Sequence, residues 1–174
     1  RIAVRTYGGL NLSASVLETP GFPDSIQTQA VPMGGEIMGA SEGDRFSLAI
    51  EAQADPKSGY LDRIQVVKGW IDATGETRER VYDAAWSDDD RLQPDGSLAA
   101  VGSSVDLKTG LTANSIGSPR LTAVWQDPEF DPEQSAFYYV RVLQIPTARH
   151  SLLDKLALGD QDIDTRRPDT IQER

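Results

Sequence analysis

Apolar and polar residues alternate with a period of two along much of this chain, a pattern that predicts β-strands with one face against a core. Residues 45–54 show it most clearly, because Phe46, Leu48 and Ile50 share one face while the other face is largely polar. Clusters of Gly, Pro, Asp and Ser interrupt the alternation and predict turns. The predicted strands cover residues 2–7, 45–54, 61–72, 77–86, 105–111, 121–126 and 136–146.

The stretch 136–146 is the longest run of aromatic and β-branched residues, and it ends at Pro146, which cannot donate to a sheet ladder. We therefore predict that it is the central strand of the fold. Its alternation places Tyr138, Val140 and Val142 on the core face. An arginine among aromatic residues on the opposite face is a candidate anchor for a second domain. That outward face carries Phe137, Tyr139, Arg141 and Leu143.

The strands predicted at 61–72 and 77–86 have features that decide which side chains face the core. A change of parity at Val66 and Val67, close to Gly69, predicts a β-bulge. The alternation in the second of these strands predicts a shared face for Arg80, Tyr82, Ala84 and Trp86.

The helical content is low, and this determines the predicted fold class. One short helix is predicted over residues 151–159, with Ser151 as its N-cap and Gly159 as its end. Short strands, frequent turns and one late helix are typical of an all-β, mainly antiparallel β-sandwich, Ig-like or similar. A barrel is the alternative, because the number of strands does not separate the two. We predict a sandwich domain over residues 1–150, on which the helix and a charged, irregular tail at 151–174 pack.

Composition narrows the range of partners. The 174 residues include 17 basic and 27 acidic side chains, for a net charge of −10. This excess of acid argues against nucleic acid as a partner, because binding to phosphates needs clustered Lys and Arg. The sequence has no run of about 18 apolar residues, so membrane insertion is not predicted. Cysteine is absent, which excludes disulfides and cysteine nucleophiles.

No motif in the sequence marks a catalytic centre. A metal cluster with several histidines is excluded because His150 is the only histidine, and a structural role is favoured for it. The acidic run 88–90, followed by Asp95, lacks the spacing of a calcium loop and predicts a solvated loop. Three tryptophans on predicted strands are favoured as core residues, with sugar stacking by exposed indoles as the alternative: Trp70, Trp86 and Trp125.

Three stretches carry a family resemblance: residues 61–70 (LDRIQVVKGW), 136–147 (AFYYVRVLQIPT) and 169–174 (DTIQER). Over nearly its whole length, the chain resembles the C-terminal domain of a bacterial protein family of unknown function. Longer members of that family resemble exported proteins and carry a PHP-like metallohydrolase domain, of the polymerase and histidinol phosphatase type. The resemblance implies an upstream catalytic domain with a divalent metal. The start at Arg1, without a methionine, likewise predicts a longer precursor whose targeting segment lies upstream.

We therefore expect a non-catalytic accessory domain that packs on the upstream catalytic domain of the same chain, in an exported or periplasmic protein. The resemblance assigns no catalytic, cofactor-binding or metal-binding residue within these 174 residues. Two alternatives stay open: a carbohydrate- or ligand-binding module that uses exposed tryptophans, and an enzyme whose site includes His150 or a pair of acids. The residues expected at the domain interface are Arg141, Tyr139, Gln172, Glu173 and Arg174.

Overall fold

The computed structural model describes residues 1–20, 22–159 and 166–174. The strands are β1 (Ala3–Leu10), β2 (Val31–Pro32), β3 (Phe46–Gln53), β4 (Leu61–Ile71), β5 (Thr77–Trp86), β6 (Arg120–Gln126), β7 (Ala136–Gln144), β8 (Thr147–Ala148) and β9 (Thr170–Ile171). Helix α1 spans His150–Leu158, and short 3-10 helices lie at Ala14–Glu18, Asp24–Ile26 and Asp89–Arg91. Of the predicted irregular tail, residues 160–165 lie outside the described residues.

Two antiparallel sheets contain seven of these strands. Sheet A has the order β2-β1-β3-β6, and sheet B has the order β5-β4-β7. A third sheet pairs β8 with β9 and so joins the tail to the segment that precedes α1. The prediction of an all-β, mainly antiparallel, sandwich-like fold with one short helix is confirmed.

The main hydrophobic core lies between sheets A and B and follows the period-two pattern of the strands. Tyr138, Val140 and Val142 belong to this core or pack against it, so the predicted core face of β7 is confirmed. Burial of these apolar side chains is the main stabilising contribution to the sandwich. The buried members of the core are Phe46, Leu48, Ile50, Ala52, Ala54, Leu61, Ile64, Val66, Leu121 and Val142.

A second apolar cluster covers the other face of sheet A. The segment between β1 and β2 forms two of the 3-10 helices and buries Val16 and Ile26 beside Ala49 of β3. Sheet A is thus covered on both sides. By contrast, Phe137 and Tyr139 on the outer face of sheet B stay exposed.

The strand β7 lies at an edge of sheet B, so its prediction as the central strand is wrong. Within the part of the chain that the structure describes, its one neighbour in the sheet is β4, which occupies the centre. Strand propensity reports how well side chains pack on a pleated, half-buried surface. It does not determine which position in the sheet a strand takes.

The irregularities of β4 also differ from the predicted bulge at residues 66–67. The register shifts between Ile64 and Gln65 against β5, and between Leu61 and Arg63 against β7. The apolar pair at 66–67 has another cause: Val67 is fully buried although it lies on the outer face. A central strand has neighbours on both sides, and their side chains cover its outward residues.

The first of these shifts changes the orientation of Trp86. Ile64 pairs with Ala85 while Gln65 pairs with Asp83, so Ala84 is an extra residue in β5. Trp86 therefore falls on the outer face of sheet B, opposite the face of Tyr82, and the predicted shared face is wrong.

Two other elements depart from prediction. The strand predicted at 105–111 is reduced to a single bridge between Val105 and Thr112. Helix α1 has Arg149, not Ser151, as its N-cap. The backbone amide of Arg149 donates to the carbonyl of Asp169, and this bond holds Arg149 in an extended conformation. Gly159 ends the helix with a φ of 68°, as predicted.

Candidate functional site

The outer face of sheet B brings together most of the side chains that the sequence directed away from the core. Antiparallel pairing aligns residues of β5, β4 and β7 in rows across the sheet. Three successive rows are Asp83–Gln65–Arg141, Val81–Val67–Tyr139 and Glu79–Gly69–Phe137.

Aromatic residues dominate one end of this face. Phe137 is 61% exposed and Tyr139 is 36% exposed, and their rings are nearly parallel with centroids 6.5 Å apart. Phe137 lies directly over Gly69, where an added Cβ would overlap its ring. Glycine at this position therefore allows the phenyl ring to lie flat against β4 while its other side remains open to a partner.

Arg141 is a cation without a counter-ion among the described residues. Its Nε is buried and has no hydrogen-bond partner. The nearest acid in its row, Asp83, is engaged by Gln65 at 2.9 Å and by Arg63 at 3.3 Å. Asp83 thus receives its hydrogen bonds from Gln65 and Arg63. The guanidinium of Arg141 is therefore able to bind an acidic side chain of a partner.

Two of the three tail residues predicted at a domain interface, Gln172 and Glu173, are hydrogen-bonded within this chain. The Gln172 side chain donates to Asp62 Oδ2 at 2.7 Å, and the carbonyl of Glu173 accepts from the Gln144 amide at 3.1 Å. Arg174 is exposed. The structure therefore places Gln172 and Glu173 on β4 and at the end of β7, apart from the aromatic end of the outer face.

A buried ion pair that the sequence prediction missed holds the loop after β5. Asp62 is fully buried and accepts from Arg91 Nη2 at 2.6 Å. Arg91 also donates to the carbonyls of Ser87 at 3.0 Å and Ala99 at 3.1 Å. This pair organises the acidic run 88–90, whose side chains remain exposed. This ion pair therefore has a structural role, because it links the loop after β5 to β4.

A second buried ion pair, also missed, lies at the end of the core between the sheets. Lys68 is 2% exposed, and its Nζ lies 2.6 Å from Asp127 Oδ2 and 2.8 Å from the carbonyl of Glu129. The hydroxyl of Tyr138 donates to the same Asp127 oxygen at 2.6 Å. Lys68 lies two residues after Val66 in β4, so the period-two alternation turns both side chains toward the core. This alternation is the sequence pattern that indicates the inward position of Lys68.

The tyrosines around this pair titrate at unusually high pH. Burial, followed by the hydrogen bond to Asp127, raises the pKa of Tyr138 far above its usual value. Burial and the hydrogen bond to Glu129 raise the pKa of Tyr82 in the same way. Conversely, the hydrogen bonds from Tyr82 and Arg80 lower the pKa of Glu129.

We predict that alkaline pH destabilises the fold through Tyr138. A folded-state pKa above the unfolded value of 10.0 gives stability that is complete below pH 10 and is lost as the pH rises further. Above pH 10, the free energy of unfolding of the Tyr138→Phe variant should fall less steeply with pH than that of the unsubstituted protein. The two slopes should differ by up to about 1.4 kcal/mol per pH unit. Urea unfolding from pH 8 to 11 measures this slope, and equal slopes in both proteins would contradict the prediction.

The remaining candidates from the sequence do not form a common site. His150 is exposed at the first residue of α1. The three tryptophans are half-buried and do not share one surface: Trp125 packs against the core, Trp70 lies beside Lys68 on the inward face of β4, and Trp86 faces outward. They therefore offer no single platform for stacking on a sugar.

Over residues 1–20, 22–159 and 166–174, no group of three or more His, Asp or Glu side chains is placed to hold a metal ion. No helix in this part of the chain is long and apolar enough to cross a membrane.

These observations define an antiparallel β-sandwich domain. Its distinctive groups are surface aromatics, an arginine that has no acidic partner among the described residues, and two buried structural ion pairs. The chain belongs to the family described as protein of unknown function (DUF3604), whose model matches residues 1–174. Comparison with curated proteins gave no match, and comparison with solved structures also gave none.

Proposed function

We propose that this chain is a non-catalytic accessory domain that docks through the outer face of sheet B onto a metal-dependent hydrolase domain of the same protein. The observation that carries the proposal is Arg141, whose partly buried guanidinium has no acidic partner among the described residues and lies beside exposed Tyr139 and Phe137. The resemblance to longer, PHP-like proteins supports the choice of partner.

The composition of this face supports a protein interface. Aromatic residues and arginine are enriched at the energetic centres of interfaces, because they combine large apolar area with directional hydrogen bonds. On this surface Arg141 would pair with a carboxylate of the catalytic domain, while Phe137 and Tyr139 would lose their exposed area to it. The divalent metal would belong to the catalytic domain, as the resemblance to PHP-like proteins implies.

The docking proposal predicts a measurable complex. The polypeptide encoded by the reading frame upstream of Arg1 is expressed separately, and the 174-residue chain is titrated into it by calorimetry. We expect binding, and we expect Arg141→Ala to weaken it by about 30-fold, the effect of losing a hot-spot residue of about 2 kcal/mol. Arg5→Ala is the matched control, because Arg5 is an exposed arginine on sheet A.

Several outcomes would contradict the proposal. One is an upstream frame that encodes no catalytic domain, and another is a complex that Arg141→Ala and Arg5→Ala weaken equally. Activity is a third readout: if the purified 174-residue chain hydrolysed phosphoesters with added Mn²⁺ as fast as the longer protein, the domain would be catalytic.

A further inference from the structure

A groove of about 670 Å³ opens along the free edge of β7. One wall is the inner face of β1, at Thr6, Gly8 and Leu10, and the other wall is β7. Strand β2 and the segment that follows it border the groove through residues 31–40. This volume is within the range of sites that bind ligands in proteins.

The two sheets differ in width at this groove. Sheet A has four strands and sheet B has three, and β7 is the last strand of sheet B. Five consecutive residues of β7, 136–140, line the groove although their side chains alternate between faces. It is therefore the backbone edge of β7 that borders the groove, with its outward N–H and C=O groups.

Residues 136–140 of this edge lack three of the features that normally prevent strand addition. Proteins protect edges with Pro, with charged side chains or with bulges. Residues 136–140 contain neither Pro nor a charged residue, and β7 pairs with β4 without a register shift over them. An unprotected edge beside an open groove is suited to pairing with another strand.

The chemistry of the lining indicates which strand would fit. The lining is mainly apolar, and its two charged side chains, Glu36 and Glu133, are both acidic and exposed. The hydroxyl of Thr6 is buried on the β1 wall and has no hydrogen-bond partner. Two exposed methionines, Met33 and Met38, border the groove and can adapt to different apolar side chains.

We propose that the groove binds an extended basic peptide segment that pairs with β7 as the fourth strand of sheet B. Alternate apolar side chains of the segment cover Gly8 and Leu10 of β1. Its Lys or Arg side chains lie near Glu36 and Glu133, and a polar group of the segment bonds to the Thr6 hydroxyl. The groove shares Phe137 and Tyr139 with the proposed docking face, but Arg141 does not line it.

The probe is a fluorescein-labelled octapeptide that alternates valine with lysine and threonine, titrated into the 174-residue chain by fluorescence anisotropy. We expect saturable binding, and a peptide with glutamate in place of lysine should not bind. The double variant Glu36→Lys/Glu133→Lys should lower the affinity at least about tenfold, because it replaces two attractions by two repulsions. The control is Glu18→Lys/Glu76→Lys, which makes the same change of charge at exposed sites outside the groove.

Amide hydrogen exchange locates the bound peptide independently of charge. The alternate amides among residues 136–140 that point away from β4 should gain protection when the peptide binds, since a new ladder forms on that edge. Thr6→Val should weaken binding without loss of folding. Arg141→Ala should leave peptide binding unchanged, because Arg141 does not line the groove, whereas it should weaken the proposed docking. Equal weakening by both charge variants, or protection elsewhere than β7, would overturn the proposal.

Discussion

Replacing Lys68 with methionine is expected to lower the free energy of unfolding by about 3–5 kcal/mol. The lysine and Asp127 side chains are 2% and 0% exposed, and each neutralises the other. Methionine keeps the apolar stem of Lys68 but leaves the carboxylate of Asp127 buried without its counter-ion. A charge in that position costs far more than the packing that methionine restores.

Urea denaturation at pH 7 measures this effect. Lys57→Met is the control, because Lys57 is exposed, and it should change the free energy of unfolding by less than about 0.5 kcal/mol. The double variant Lys68→Met/Asp127→Asn should recover part of the loss, since it removes the unpaired charge. A Lys68→Met protein as stable as the Lys57→Met protein would show that the pair does not stabilise the fold.

Arg91→Ala is expected to cost about 3–4 kcal/mol, the second largest effect of a single change. Arg91 donates to Asp62 at 2.6 Å and to the carbonyls of Ser87 and Ala99 at 3.0 Å and 3.1 Å. Without the guanidinium, Asp62 keeps its hydrogen bonds from Arg63 and Gln172. The carbonyls of Ser87 and Ala99 lose the hydrogen bonds from Arg91. The loop between β5 and β6 should then lose its protection from hydrogen exchange first.

Arg91→Lys separates charge from hydrogen bonding at this site. Lysine keeps the positive charge but lacks the planar guanidinium that donates to both carbonyls at once. We therefore expect the free energy of unfolding of Arg91→Lys to lie between those of the unsubstituted protein and Arg91→Ala. Arg120→Ala is the control: Arg120 is 56% exposed and pairs with Glu51 on the surface, where a pair contributes at most about 1 kcal/mol. If Arg91→Ala and Arg120→Ala cost the same, the buried pair has no special role.

The sequence was a good guide wherever a local pattern decides the outcome. Alternation in β3 and β7 correctly placed Ile50 and Val142 in the core, because a strand turns successive side chains to opposite faces. Gly159 correctly ended α1, because glycine takes the left-handed conformation without steric cost.

The candidate sites could be predicted only in part. Parity alone placed Arg141 and Tyr139 on the outward face of β7, and the structure has them in adjacent rows of that face. Within the part of the chain that the structure describes, Arg141 has no acidic partner because Gln65 and Arg63 bind Asp83 from a neighbouring strand. No local pattern reports this, because the contacts join residues that are 18 and 20 positions apart.

By itself, the sequence determined the period-two faces of the strands, the end of the helix and the all-β class, since each depends on residues within one element. Only the tertiary structure decided that β7 is an edge strand, that Trp86 faces outward, and that Lys68 and Arg91 are buried. These outcomes depend on strand order, on one extra residue in β5, and on pairs separated by 59 and 29 residues. A burial that is unfavourable for a lone charge becomes stable only when the fold brings its partner within hydrogen-bonding distance.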